Sequence, residues 1–211
     1  AGLAPALPKE DIFLDRRPKR QLDHHGEDDR LEVLSRIELF SGALKRGELA
    51  EMAGNARIRQ FESGEALVRQ GETGTSLFVV AEGVLEVHVD GPDGKPLKVG
   101  HILAGEIFGE MSLLTGAPRS ATVTASTGVV AYEVTREQFE TLLAARPEIA
   151  GEISRLVARR QAATAGASAA DEPADLEKEE RLLKQRILDG MTRMFSGILG
   201  PGAQSQTAAQ A

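Results

Sequence analysis

Residues 108 to 123 read FGEMSLLTGAPRSATV. The stretch interrupts a region of short alternating runs with a segment that does not alternate. It sets one carboxylate, Glu110, nine residues ahead of one guanidinium, Arg119. Phe108-Gly109 ends a strand pattern, and Glu110 to Leu114 can form a short helix. The first N–H groups of a helix have no partner within it, and they favour an anion in front of them. Gly109, without a Cβ, lets the backbone approach such a group closely. Gly116 and Pro118 shape a turn that brings back Arg119, and a guanidinium grips a phosphate through two parallel hydrogen bonds. An ionised Glu110 only accepts hydrogen bonds, so it repels phosphate and suits a sugar hydroxyl. Amide nest, guanidinium and hydroxyl-reading carboxylate together describe a site for a ribose phosphate. A plain ion pair between Glu110 and Arg119 is the simpler alternative.

Outward from this stretch, Arg57 to Val134 carries the runs RIRQF, ALVRQ, SLFVVAE, VLEVHV, LKVGHIL, SATVTA and VVAYEV. Glycine-rich turns separate them, and PDG at 92–94 reads as a hairpin turn. Short strands so punctuated predict a barrel or sandwich. Upstream, Leu31, Leu34, Ile37, Leu44, Leu49 and Met52 recur at helical spacing, and Ser41-Gly42 divides them into two short helices. Downstream, Thr135 with Gln138 three positions on is a capping-box pattern. It opens a helix that ends at Pro147, where a second one begins.

Residues 16–30 are dense in both charge signs and read as a linker. Residues 165–174 read as a flexible Ala/Gly/Ser-rich linker. Residues 175–199 carry Leu176, Leu183, Ile187, Met191, Met194 and Ile198 on one stripe, an amphipathic helix weakened by Gly190. Standing alone it needs a partner to be stable. Residues 200–211 read as a disordered tail.

A net charge of −7 argues against a nucleic-acid-binding surface, which is usually basic. The chain has no cysteine, so disulfides and thiolate metal sites are excluded. It has no apolar run long enough to span a membrane. GETGTS at 71–76 lacks the Gly-Lys of a phosphate loop. His24 and His25 sit in the charged linker without a second pair of ligands nearby, and His88 and His101 lie in strand patterns. No catalytic constellation is visible, so the expectation is a protein that is not an enzyme and needs no cofactor or metal.

FGEMSLLTGAPRSATV resembles the phosphate-binding cassette of cyclic nucleotide-binding domains, and the order of helices and strands over 31–164 resembles that family too. The resemblance implies a mainly β fold with flanking helices. Its core is an antiparallel β-roll or jelly-roll barrel, with N-terminal helices, an embedded short cassette helix and two C-terminal helices. It implies that Glu110 takes the ribose 2′-hydroxyl and Arg119 the cyclic phosphate, with Gly109, Met111, Ser112 and Ser120 completing the cradle. Family members that prefer cGMP often carry Thr after the arginine, so Ser120 leans towards cAMP. The base-facing wall is expected to include Val87, Val99 and Ile102. The last helix of such domains swings over the base as a lid, which makes Leu156, Arg159 and Arg160 the lid candidates.

A sensor domain needs an output. From Glu172 to Gly200 there are six acidic and five basic residues, which does not suit the recognition helix of a Crp/Fnr-type transcription regulator. Only one cassette is present, where kinase regulatory subunits usually carry two. AGLAPALPKEDIFLD at 1–15 resembles the closing segment of the MscS-like mechanosensitive channels. That implies the end of an upstream channel domain and a homo-oligomer formed through a channel part outside this sequence. It also implies a place on the cytoplasmic face of a bacterial inner membrane. A cyclic-nucleotide-gated potassium channel is the rival reading. The start at Ala1 is likewise expected to be the cut end of a longer protein.

Overall fold

The computed structural model describes residues 23–91, 93–166 and 173–199, with side chains left undescribed over 160–166 and 173–180. The expectations for 1–15, for the tail 200–211 and for the side chains of Leu176 and Arg160 lie outside the described residues.

Among the described residues eight strands form two antiparallel four-stranded sheets. One holds β1 (Arg57–Phe61), β8 (Val129–Thr135), β3 (Ser76–Glu82) and β6 (Ile107–Phe108) in that order. The other holds β2 (Ala66–Val68), β7 (Thr122–Ala125), β4 (Val84–Asp90) and β5 (Pro96–Leu103). This is the expected β-roll with flanking helices. The two-residue strand β6 is too short to show any alternation in sequence.

The period-2 pattern explains where each core lies. In β3, Phe78 and Val80 point into the sandwich interior, while Leu77, Val79 and Ala81 join the larger cluster beneath the helices. Both faces of that strand are covered, so its central run LFVVA is apolar throughout. β8 repeats the division, with Val129 and Ala131 inside the sandwich and Tyr132 and Val134 on the helical side.

Among the described residues three helices precede the barrel where two were expected: α1 (Glu27–Ser35), α2 (Glu38–Ser41) and α3 (Arg46–Asn55). The charged linker expected over 16–30 therefore gives way to helix at Glu27. Two of its residues are not solvated as composition suggested: Asp29 is 3% and Arg30 9% exposed. Glu27, Asp28 and Asp29 favour the positive end of α1. An Asp29 carboxylate oxygen also accepts the Asp23 N–H at 2.6 Å.

His24, ahead of α1, is tied to the barrel rather than loose in a linker. Its Nδ1 is 2.8 Å from the Tyr132 hydroxyl and its Nε2 is 3.1 Å from a Glu82 carboxylate oxygen. Tyr132 is fully buried, and burial pushes its phenol up to about 12. Between pH 10 and 12 the unfolded chain releases this proton and the folded chain keeps it, so stability present below pH 10 is lost as pH rises through that window. Equilibrium denaturation should show this alkaline loss in the wild type and a smaller one in Tyr132→Phe. The variant should also lose about 1 kcal/mol at neutral pH, the ordinary worth of one hydrogen bond.

After β8 come α5 (Arg136–Ala145), α6 (Ile149–Gly166) and α7 (Pro173–Met194). The capping box at the start of α5 is present, with the Thr135 N–H donating to Gln138 Oε1 at 2.8 Å. α7 does not stand alone. Ile187, Leu188, Met191, Phe195 and Leu199 are buried in the main helical core. The partner that the isolated stripe lacked in sequence is this domain itself.

Candidate ligand-binding site

Between β6 and β7 the chain leaves the sheets to form α4 (Glu110–Thr115), a six-residue helix bracketed by two glycines. Gly109 has φ +81° and Gly116 φ +73°, a region other residues enter only at a cost. The Gly116 N–H closes the helix on the Ser112 carbonyl at 3.0 Å. Leu113 and Leu114 are fully buried and fix α4 against the helical core. Its other side borders a cavity of about 180 Å³.

Six residues named from sequence line this one cavity: Gly109, Glu110, Met111, Ser112, Arg119 and Ser120. Glu110 and Arg119 are each only 7% exposed. Arg119 Nη1 donates to the Gly109 carbonyl at 2.9 Å, and its guanidinium carbon lies 5.9 Å from the centre of the Phe78 ring. The Arg119 backbone is held too, its N–H donating to the Glu72 carbonyl and its own carbonyl accepting from Gly71. Burial pulls the guanidinium below its usual pKa, and the negative charges of Glu110, Glu133 and Glu72 oppose that shift. Arginine stays charged under such a shift, so the cavity wall carries a fixed cation beside a carboxylate.

Two glycines make room for this cation. A Cβ on Gly109 would collide with Arg119 Nη1, and a Cβ on Gly74 would collide with the guanidinium carbon and Nε. Gly74 lies in the turn before β3, far from the cassette in sequence, and no sequence signal singled it out.

The apolar wall matches expectation in part. Val87 and Ile102 line the cavity, as do Val68, Ile107, Phe108, Ala121 and Val123, which sequence reading did not name. Val99 does not line it and is 54% exposed. Gly100 pairs with Val87 and Lys98 with His88, so Val99 is the extra residue of a β-bulge. A bulge breaks the alternation on which its assignment rested.

The two lid candidates with described side chains, Leu156 and Arg159, are not at the cavity. Leu156 packs against α2, its Cδ1 3.1 Å from where a Cβ on Gly42 would sit, and Arg159 is exposed. Among the described residues no group of three or more His, Asp or Glu is placed to hold a metal ion. No described helix is long and apolar enough to cross a membrane.

Residues 58–146 match the family described as cyclic nucleotide-binding domain. A cyclic nucleotide-gated potassium channel of Rhizobium etli is 35% identical over 130 residues, which is 62% of this chain and 35% of that protein. A CRP-like cAMP-activated global transcriptional regulator of Mycobacterium tuberculosis is 28% identical over 129 residues, 61% of this chain and 57% of that one. The chain thus spans about a third of the potassium channel and just over half of the regulator. Relatives of this kind are regulatory or channel proteins, although an acetyltransferase of Mycolicibacterium smegmatis also matches over 124 residues. Among solved structures, the N-terminal domain of a transcriptional regulator from Streptomyces coelicolor aligns with a TM-score of 0.55 at 35% identity, over 63% of this chain and 94% of that one. Through its barrel and cassette, the chain belongs to the cyclic nucleotide-binding domain family.

Proposed function

We propose that this chain is the sensor part of a bacterial ion channel and that it binds a purine cyclic nucleotide, cAMP ahead of cGMP. One observation carries the reading: two buried opposite charges, Glu110 and Arg119, share the wall of a cavity whose remaining lining is largely apolar. A ribose phosphate offers an anion to the guanidinium and a hydroxyl to the carboxylate, and both matches are charge-assisted hydrogen bonds. Arg119 takes the phosphate and Glu110 the 2′-hydroxyl. Gly109, Met111, Ser112 and Ser120 close the cradle. The cavity, about 180 Å³, is smaller than the roughly 300 Å³ of a typical ligand pocket. The ribose phosphate therefore fills it, and the base extends beyond it.

The lid role of Leu156, Arg159 and Arg160 requires α6 to leave its seat on α2 when nucleotide binds. The output is an MscS-like channel joined through residues 1–15, assembled as a homo-oligomer on the cytoplasmic face of the inner membrane. A cyclic-nucleotide-gated potassium channel is the second reading, favoured by the Rhizobium etli relative. A transcription regulator is the third, favoured by the Mycobacterium tuberculosis one.

Isothermal titration with cAMP and then cGMP tests the binding. Micromolar or tighter affinity supports the sensor, and the ratio decides the base. No heat with either, together with an unchanged melting temperature, overturns it. Patch-clamp of membranes carrying the full-length protein tests the output, and an open probability indifferent to nucleotide would sink the channel reading.

A further inference from the structure

The cassette helix has a second neighbour besides the cavity. α7 packs directly on α4, and the contact is close because two glycines permit it. At Gly190 a Cβ would lie 2.8 Å from Thr115 Cβ and Cγ2 and 3.0 Å from Thr115 Cα. At Gly116 a Cβ would collide with the Met194 methyl group. Glycine inside a helix costs about 1 kcal/mol relative to alanine, so Gly190 weakens α7 in exchange for this approach. Met191, one residue on, is fully buried and lies 3.2 Å from Ser154 Oγ of α6. Thr115 Oγ1 in turn donates to the Met111 carbonyl at 2.6 Å, within the helix that borders the cavity.

We propose that α7 is part of the binding machinery: through Gly190 against Thr115 and Met194 against Gly116, it positions the cassette for the ligand's phosphate. The proposal rests on the nucleotide-binding reading above. A six-residue helix is not stable by itself in water. Its order is supplied by packing, and α7 covers the side turned away from the cavity. With α7 displaced, the ligand must itself order Gly109 to Ser112, and that cost is taken from its affinity. Linkage makes the coupling reciprocal, so nucleotide must tighten the seating of α7 by the same factor. Gly190, Thr115 and Met194 are positioning residues in this scheme and touch no ligand.

The test uses the full chain with cAMP. Gly190→Leu introduces a good helix former, so α7 itself keeps its helical tendency while its seat is blocked. Titration should show cAMP binding at least about fivefold weaker than wild type, the low end of ordinary coupling between sites. In the wild type, saturating cAMP should slow amide hydrogen exchange across 187–199. Unchanged or tighter binding in Gly190→Leu, with exchange across 187–199 already fast before nucleotide is added, overturns the proposal. If that variant does not fold, or keeps α7 seated, the wild-type exchange decides: protection of 187–199 indifferent to bound cAMP overturns it. Absence of cAMP binding by the wild type overturns the sensor reading and this inference together, whereas binding without a response in α7 overturns the inference alone.

Discussion

Arg119→Ala should weaken cAMP binding about ten- to a hundredfold. A charge-assisted hydrogen bond contributes roughly 1.5–3 kcal/mol, and each 1.4 kcal/mol is about a factor of ten. The site favours the upper part of this range. The guanidinium is already desolvated in the folded protein, so little of the cost of burying it falls on the binding step. Arg119→Lys should recover only part of the loss, because an ammonium keeps the charge but not the planar fork. Neither substitution should alter the ratio of cAMP to 2′-deoxy-cAMP affinity, since both ligands carry the same phosphate. Titration of the two variants with the two ligands checks this, and an Arg119→Ala protein that binds like wild type removes the phosphate assignment.

Glu110→Ala should act on the other axis. The wild type should prefer cAMP over its 2′-deoxy analogue by tenfold or more, because a site built around a hydroxyl rejects ligands that lack it. In the variant that preference should fall to nearly one, mainly through weaker cAMP binding. A wild type indifferent to the 2′-hydroxyl would show that Glu110 serves only to balance Arg119. The two substitutions thus separate phosphate recognition from sugar recognition within one cavity.

The barrel was legible because its strands are short, alternate and end at glycines. The cassette was legible because its chemistry is local: Gly109, Glu110, Gly116 and Arg119 lie within one stretch. What escaped depends on distant pairing. Val99 reads as an inward residue until the pairing of Gly100 with Val87 and Lys98 with His88 places it in a bulge. Asp29 and Arg30 look solvated by composition, yet α1 is folded against α2 and α3 and both are buried. The stripe on α7 announced that something must cover it, but nothing local said that the cover was α4 and α6. Leu156 is a lid candidate by resemblance, and no local pattern announced its packing against α2 in this structure.

The slot around Arg119 also bears on how such chains are sorted into receptors and relics. Position 74 lies outside the F-G-E and P-R-S signature, yet a side chain there would occupy the place of the guanidinium. The atoms it would meet are the far end of a long side chain, which can swing aside at little expense to the fold. A residue other than glycine at 74 would therefore leave a protein that folds, melts normally and displays an intact signature while its cation faces elsewhere. On the proposed reading, ligand competence depends on one glycine outside the signature as well as on the signature itself.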